Sequence, residues 1–225
     1  MMLDRNVYRH ELKYILNNNS INESLKLILI NANAKKKYDN RIVNSIYFDD
    51  LNFTNANDNL IGLSRRKKYR LRWYNNSDKL FFETKIKKNN LNFKKILSLN
   101  SNDNKINNLS FFEINEIFQK QVLKKHKIIS NYLNPTLGVM YLRDYYENNE
   151  GIRITVDNNI NFYQTINNKK INEVIFTKYN FSVLEIKFQP HLLKHARKIL
   201  VNFKTLLSRH SKYLIGLKLL NYIKY

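Results

Sequence analysis

The chain has 225 residues, 43% of them hydrophobic, and carries 39 Lys and Arg against 18 Asp and Glu, giving a formal net charge of +21. That length and apolar share suit one substantial core, so residues 1–225 read as a single domain, and the positive excess selects nucleic acid, anionic lipid or a phosphate-rich ligand as partner. With no cysteine the chain forms neither disulfides nor thiolate metal sites, which fits a reducing compartment. Charges at Asp4, Arg5, Arg9, His10, Glu11 and Lys13 break up the start of the chain as a signal peptide, and no apolar run approaches the roughly 18 residues of a membrane span. The reading is a soluble, cytoplasmic protein.

A first strand-like run carries Arg9-x-Glu11-x-Lys13. Ser20 and Glu23 have the spacing of a capping box, and Leu25, Ile28 and Leu29 give the following helix an apolar stripe. Residues 43–49 read as the next strand. A polar stretch with Phe53 and Leu60 leads through Gly62 into Arg65-Arg66-Lys67-Lys68 and a strand over 69–74. Residues 80–87 and 91–97, joined by a turn at 88–90, read as a hairpin. Residues 98–109, rich in Asn, Ser and Asp, read as a mobile loop. Ser110 and Glu113 form a second capping box, opening a helix to about 129. Pro135 and Gly138 precede the strand of Tyr141 and Arg143, and a turn at 148–151 returns the chain into 152–156. One more strand covers 181–188, Pro190 stands where a helix can begin without losing a hydrogen bond, and helices over about 190–208 and 211–223 close the chain. Strands and helices alternating this irregularly predict an antiparallel α+β design rather than parallel βαβ units.

The strands share a pattern. Residues two apart lie on one face of a strand, and here that face carries Arg9, Glu11 and Lys13, Arg70 and Arg72, Glu83, Lys85 and Lys87, Tyr141 and Arg143, Arg153, Thr155 and Asp157, Glu185 and Lys187. The opposite face carries Leu71, Trp73, Leu142, Ile152, Ile154, Leu184 and Ile186. A half-buried antiparallel strand ordinarily shows polar residues to water, so one such segment means little. Six of them, with Arg rather than the commoner Lys at the alternating positions, suggest a curled sheet whose charged faces converge on a polyanion. Arg supplies a planar fork of donors suited to two phosphate oxygens at once. Among the carboxylates, Glu185 reads as a ligand for a divalent metal, Glu83 as an ion-pair partner, and Glu11 and Asp157 fit either role; hard oxygen donors suit Mg²⁺ or Mn²⁺.

Arg9-His-Glu11-Leu-Lys13-Tyr14, Ser45-Ile-Tyr47-Phe48-Asp49, Lys68-Tyr-Arg70-Leu-Arg72, Glu83-Thr-Lys85, Tyr141-Leu-Arg143, Arg153-Ile-Thr155-Val-Asp157, Leu184-Glu185-Ile-Lys187 and Ser211-Lys212-Tyr213 resemble, in this order, the VTC domain of polyphosphate polymerases, within the CYTH-like triphosphate tunnel metalloenzymes. The resemblance runs from about Arg9 to about Tyr213. It implies an α+β fold in which an antiparallel eight-stranded β-barrel forms a tunnel, with helices packed outside. It also implies transfer of the γ-phosphate of ATP to a growing polyphosphate chain with Mn²⁺ or Mg²⁺, and release of ADP. Carried over by position, Arg70, Arg72, Lys85, Arg143 and Arg153 act at the reacting phosphates; Lys13, Arg9, Tyr141, Lys187, Lys212 and either Lys94 or Lys95 bind phosphate; Glu185, with Glu11 and Asp157, holds the metal. Lacking an SPX domain and membrane helices, the chain resembles the stand-alone bacterial form, which would need a separate membrane partner to couple synthesis to translocation and would sit in the cytoplasm, at most peripheral to the inner membrane.

Rival readings have weaker carriers. His191 and His195 have i,i+4 spacing but lack the Glu of a zinc-protease helix, position 192 being Leu. With 4 Gly there is neither a P-loop nor a dinucleotide-binding fingerprint. Arg65 to Lys68 beside Tyr69, Trp73 and Tyr74 would suit single-stranded nucleic acid, and a tunnel hydrolase of tripolyphosphate or nucleoside triphosphate is the nearer alternative. Those hydrolases typically begin Glu-x-Glu-x-Lys, whereas position 9 here is Arg.

Overall fold

The computed structural model describes residues 2–17, 20–100, 105–124 and 132–223. Among the described residues the strands run β1 (Met2–Asn17), β2 (Lys35–Asp49), β3 (Arg65–Tyr74), β4 (Leu80–Lys88), β5 (Leu91–Leu99), β6 (Asn134–Glu147), β7 (Arg153–Tyr163), β8 (Thr177–Tyr179) and β9 (Phe181–Phe188). Each pairs antiparallel with its neighbours in the order β6-β2-β3-β4-β5-β1-β9-β7, and a β6–β7 ladder closes the ring. The result is an eight-stranded antiparallel barrel, with β8 continuing the β9 edge along β7.

The barrel is apolar outside and charged inside. Leu71, Trp73, Ile152, Ile154, Leu184 and Ile186 face outward and are buried beneath helices. α3 (Phe111–Ile117), continuing as a π-helical turn over Phe118–Lys124, packs its Phe111, Ile114, Ile117, Phe118 and Val122 on β2 to β5. α1 (Ile21–Ala32) and α4 (Leu193–Ile199) cover β1, β7 and β9, while α2 (Thr54–Leu60) and α5 (Lys212–Leu219) cover β2, β6 and β7. Each fully buried aliphatic or aromatic side chain contributes about 1.5–3 kcal/mol. These outer contacts offset the cost of an interior lined with ions. Gly138 is required where β6 meets Tyr163, because a Cβ there would stand 1.8 Å from the ring.

Several boundaries differ from the sequence reading. Ser20 makes no capping bond; its hydroxyl donates to Asn17 O at 3.2 Å, so the Ser20–Glu23 box does not form. The Ser110–Glu113 box forms as expected, and the end of that helix near 129 lies outside the described residues. The stretch read as a mobile loop over 98–109 begins as the end of β5 and buries Leu99, Ile106 and Leu109 in the core; residues 101–104 are not described. β2 begins at Lys35 rather than 43, its exposed first half pairing with Arg143 to Glu147 of β6. The helix expected over 190–208 ends at Ile199, because Leu207 bridges to Tyr14 and Ser208 N donates to Lys13 O at 2.9 Å. That return places Ser211 and Lys212, the start of α5, against the barrel interior. Among the described residues no helix is long and apolar enough to cross a membrane.

Candidate functional site

The barrel interior holds a cavity of about 540 Å³. Its wall takes Arg9, Glu11 and Lys13 from β1, Lys68, Arg70 and Arg72 from β3, Lys85 from β4, Lys94 from β5, Tyr141 and Arg143 from β6, Arg153 and Thr155 from β7, Glu185 and Lys187 from β9, and Lys212 from α5. The alternating charged rows seen in the sequence therefore converge on one space. Lys94 shares its face with the lining residues Asn92 and Ile96, whereas Lys95 belongs to the alternate, outward face; the choice between them falls to Lys94. Arg153 lines the cavity at its rim, its side chain 46% exposed and 3.4 Å from Glu147.

Two buried carboxylates organise the cations. Glu83, 2% exposed, accepts from Arg70 Nε at 2.8 Å and Lys94 Nζ at 2.7 Å, and Arg72 Nη1 stands 3.6 Å away. Burial alone would push the Glu83 carboxyl up, but Arg70, Arg72 and Lys94 hold it well below the usual carboxylate range. Asp157, fully buried, accepts from Arg143 through both oxygens, the Nη2 bond at 2.7 Å, and also from Lys212. With both oxygens engaged, Asp157 serves as an ion-pair anchor, and its expected place among metal ligands is not supported by the geometry. Arg72 is clamped further by bonds to Ser45 Oγ at 3.1 Å and Tyr141 Oη at 3.0 Å, and Arg70 Nη1 donates to Tyr47 Oη at 3.2 Å. Burial keeps the Tyr141 phenol protonated despite the nearby guanidinium groups, so its hydrogen remains a donor.

Glu11 and Glu185 differ from Asp157. Glu11 accepts from Lys85 at Oε2. Glu185 lies 3.0 Å from Lys187 and 3.7 Å from Lys13, with Arg143 at 3.8 Å. Burial raises both carboxyls, but the surrounding cations, Lys85 for Glu11 and Lys187 with Lys13 for Glu185, leave each below its ordinary value. Two adjacent ionised carboxylates on one wall fit Mg²⁺ or Mn²⁺, which take one or two carboxylates together with substrate phosphates and water. Among the described residues no cluster of three or more His, Asp or Glu is positioned to ligate a metal by itself.

Lys68 also lines the cavity, a residue to which the sequence reading gave no role. Its Nζ donates to Ser211 Oγ at 2.8 Å, a neutral partner. Burial, then Lys13, Lys85, Arg66 and Arg70, push its pKa well below that of an ordinary lysine. A half-buried cation facing other cations is costly unless an anion joins it. The signal was present as the spacing 68, 70, 72, masked because Lys68 closes a basic run that reads as surface. Thr155 adds a buried hydroxyl with no hydrogen-bond partner among the described residues, opposite Glu185 in the β7–β9 ladder.

The nucleic-acid reading loses two of its three stacking aromatics: Trp73 is fully buried with Nε1 donating to Asn107 at 3.1 Å, and Tyr69 is 8% exposed, while Tyr74 is half-buried at the cavity wall. His195 Nδ1 lies 2.6 Å from Glu150, so that nitrogen faces a carboxylate rather than a metal shared with His191.

The family model for the VTC domain matches residues 8–221. The chain belongs to the VTC-domain family. No curated protein matches this VTC domain by sequence. Among solved structures it is similar to a putative adenylyl cyclase from Hippeastrum described as having a dominant triphosphatase activity, with TM-score 0.54 and 10% identity over 94% of this chain and 95% of that one. A Pyrococcus horikoshii protein gives TM-score 0.52 and 13% identity over 92% and 98% of the two chains. A putative adenylate cyclase from Bacillus halodurans gives 0.51 and 11% over 92% and 97%. At these identities the likeness carries the fold alone, the antiparallel barrel described above.

Proposed function

We propose that this VTC domain is a polyphosphate polymerase: it binds the triphosphate of ATP inside the barrel, transfers the γ-phosphate to the end of a polyphosphate chain and releases ADP. The observation that carries the reading is Lys68, which among the described residues is bonded to the neutral Ser211 while it faces Lys13, Lys85 and Arg70, beside Arg70 and Arg72 held rigid by Glu83, Ser45 and Tyr141. Such a lining is complete only with a polyanion in it.

Phosphoryl transfer through a loose transition state asks the protein for alignment and charge neutralisation rather than covalent chemistry. Arg70 and Arg72 would grip donor oxygens, Arg143 and Lys212 would be presented by Asp157, and Lys13, Lys85, Lys94 and Lys187 would neutralise neighbouring phosphates. Arg9 and Arg153 would extend the grip toward the ends of the cavity. A bound Mg²⁺ or Mn²⁺, held by Glu185 with Glu11, would withdraw charge from the transferring group. The terminal phosphate oxygen of the acceptor chain is already an anion and needs no base to attack.

That last point favours polymerase over hydrolase. Hydrolysis of a triphosphate would instead need a water positioned and activated in the same cavity. The triphosphatase activity described for the Hippeastrum protein keeps hydrolysis as the second reading. Purified protein incubated with ATP and Mn²⁺ should yield long chains and ADP, and Arg72→Ala or Glu185→Ala should lower that synthesis by about 10²-fold or more, the loss typical of a preorganised charge contact. Wild-type-like synthesis by either variant would sink the assignment of these residues.

A further inference from the structure

The inner rows of β3 and β4 do not stop where the cavity does. Lys68 and Lys85 pair across the ladder at its edge, and two residues further along the same faces Arg66 pairs with Lys87. A strand rises about 3.4 Å per residue, so Arg66 stands roughly 7 Å beyond Lys68 and roughly 14 Å beyond Arg70. Arg66 Nη1 donates to Leu63 O at 2.7 Å, which fixes the guanidinium at the strand's start. From the segment leading to Lys212, Arg209 lays its own guanidinium over Gly62, 4.0 Å from where a Cβ would stand.

These three cations feel one another. Partial burial and then Arg209 lower the pKa of Arg66; partial burial and then Arg66, Lys85 and Arg209 lower that of Lys87. Of the carboxylates that act on them, Asp58 bears on Arg66, and Glu11, which bears on Lys87, is already bonded to Lys85. A basic surface in a chain of net charge +21 is unremarkable by itself. Here, however, Arg66 and Lys87 stand in register with the lining, and Arg209 lies three residues before Lys212.

We propose that Arg66, Lys87 and Arg209 form a docking strip for inorganic polyphosphate longer than a triphosphate, carrying the chain past the cavity edge at Lys68 and Lys85. The strip rests on the reading of the cavity as a polyphosphate site and adds chain-length discrimination to it. A triphosphate gripped at Arg70 and Arg72 ends before the strip; a long chain crosses it. The test is equilibrium binding of tripolyphosphate and of a long-chain polyphosphate to the wild type and to the triple variant Arg66→Gln, Lys87→Gln and Arg209→Gln. Long-chain affinity should fall about tenfold at low ionic strength, as expected for three solvent-accessible charge contacts, and the difference should shrink with added salt. Tripolyphosphate affinity should change by less than about twofold. Equal losses for both ligands, or an unchanged long-chain affinity, would overturn the strip while leaving the cavity reading intact. Absence of tripolyphosphate binding to the wild type would overturn both.

Discussion

Replacing Glu83 by Gln would remove one negative charge and leave its volume nearly unchanged. In the native barrel this carboxylate, 2% exposed, neutralises Arg70 at 2.6 Å, Lys94 at 2.7 Å and, more distantly, Arg72. Gln offers one acceptor oxygen in its place and turns an amide donor toward cations. Breaking a buried ion pair by removing one partner costs about 3–5 kcal/mol because the remaining charge stays buried. In a domain of this size each kcal/mol moves Tm by about 2–4 °C, so Glu83→Gln should melt about 6–20 °C below wild type. The same cations bind the proposed ligand, so tripolyphosphate should raise the Tm of the variant at least as much as that of wild type, provided the fold survives. Differential scanning calorimetry with and without tripolyphosphate reads both quantities. A variant melting within about 2 °C of wild type would refute the hub role of Glu83, since even the smallest of the cited costs exceeds that shift. The acid side should show the same dependence. The depressed pKa of Glu83 contributes stability that is present above the unfolded value near 4.3 and lost as pH falls below it through the lower folded value, so wild type should lose stability on acidification in that window.

Two further outcomes follow from the lysines. Lys68→Met removes a half-buried charge whose bonded partner is neutral, so the free protein should be at least as stable as wild type while tripolyphosphate binding weakens about 10- to 100-fold, the worth of a charged hydrogen bond; isothermal titration and a melt on the same sample separate the two. Burial, against the pull of Glu185 and Glu83 respectively, brings Lys187 and Lys94 down to a pKa of about 8. A bound polyanion favours their protonated forms. Binding should therefore weaken as pH rises through about 8 and take up protons near that pH, visible as a dependence of the titration heat on buffer ionisation enthalpy.

The barrel was legible because its signal is local: residue alternation fixes which side chains share a face, and Arg70, Arg72, Glu83, Lys85, Arg143 and Glu185 all reached the interior on that rule alone. Closure of the ring was not local and came from the ordered resemblance. What alternation could not supply was register. Lys94 and Lys95 are adjacent and chemically identical, so only the pairing of Lys94 with Lys85 across β4 and β5 chooses between them. Asp157 carries the same chemistry as Glu185 in sequence; its fate was set by Arg143 and Lys212, one from the neighbouring strand and one 55 residues away. The helix expected through 208 stops short at Ile199, and Leu207 and Ser208 pair with the backbone of β1 instead. Lys68 was hidden for the opposite reason, since a run of four basic residues gives no local sign of which one turns inward.

The most direct measurement follows the label of γ-³²P-ATP in the presence of Mn²⁺ through the wild-type protein. Recovery of the label in long, acid-labile chains, with ADP as the nucleotide product, is the result expected of a polymerase tunnel. Label recovered as free phosphate alone would contradict it and assign the same cavity to triphosphate hydrolysis.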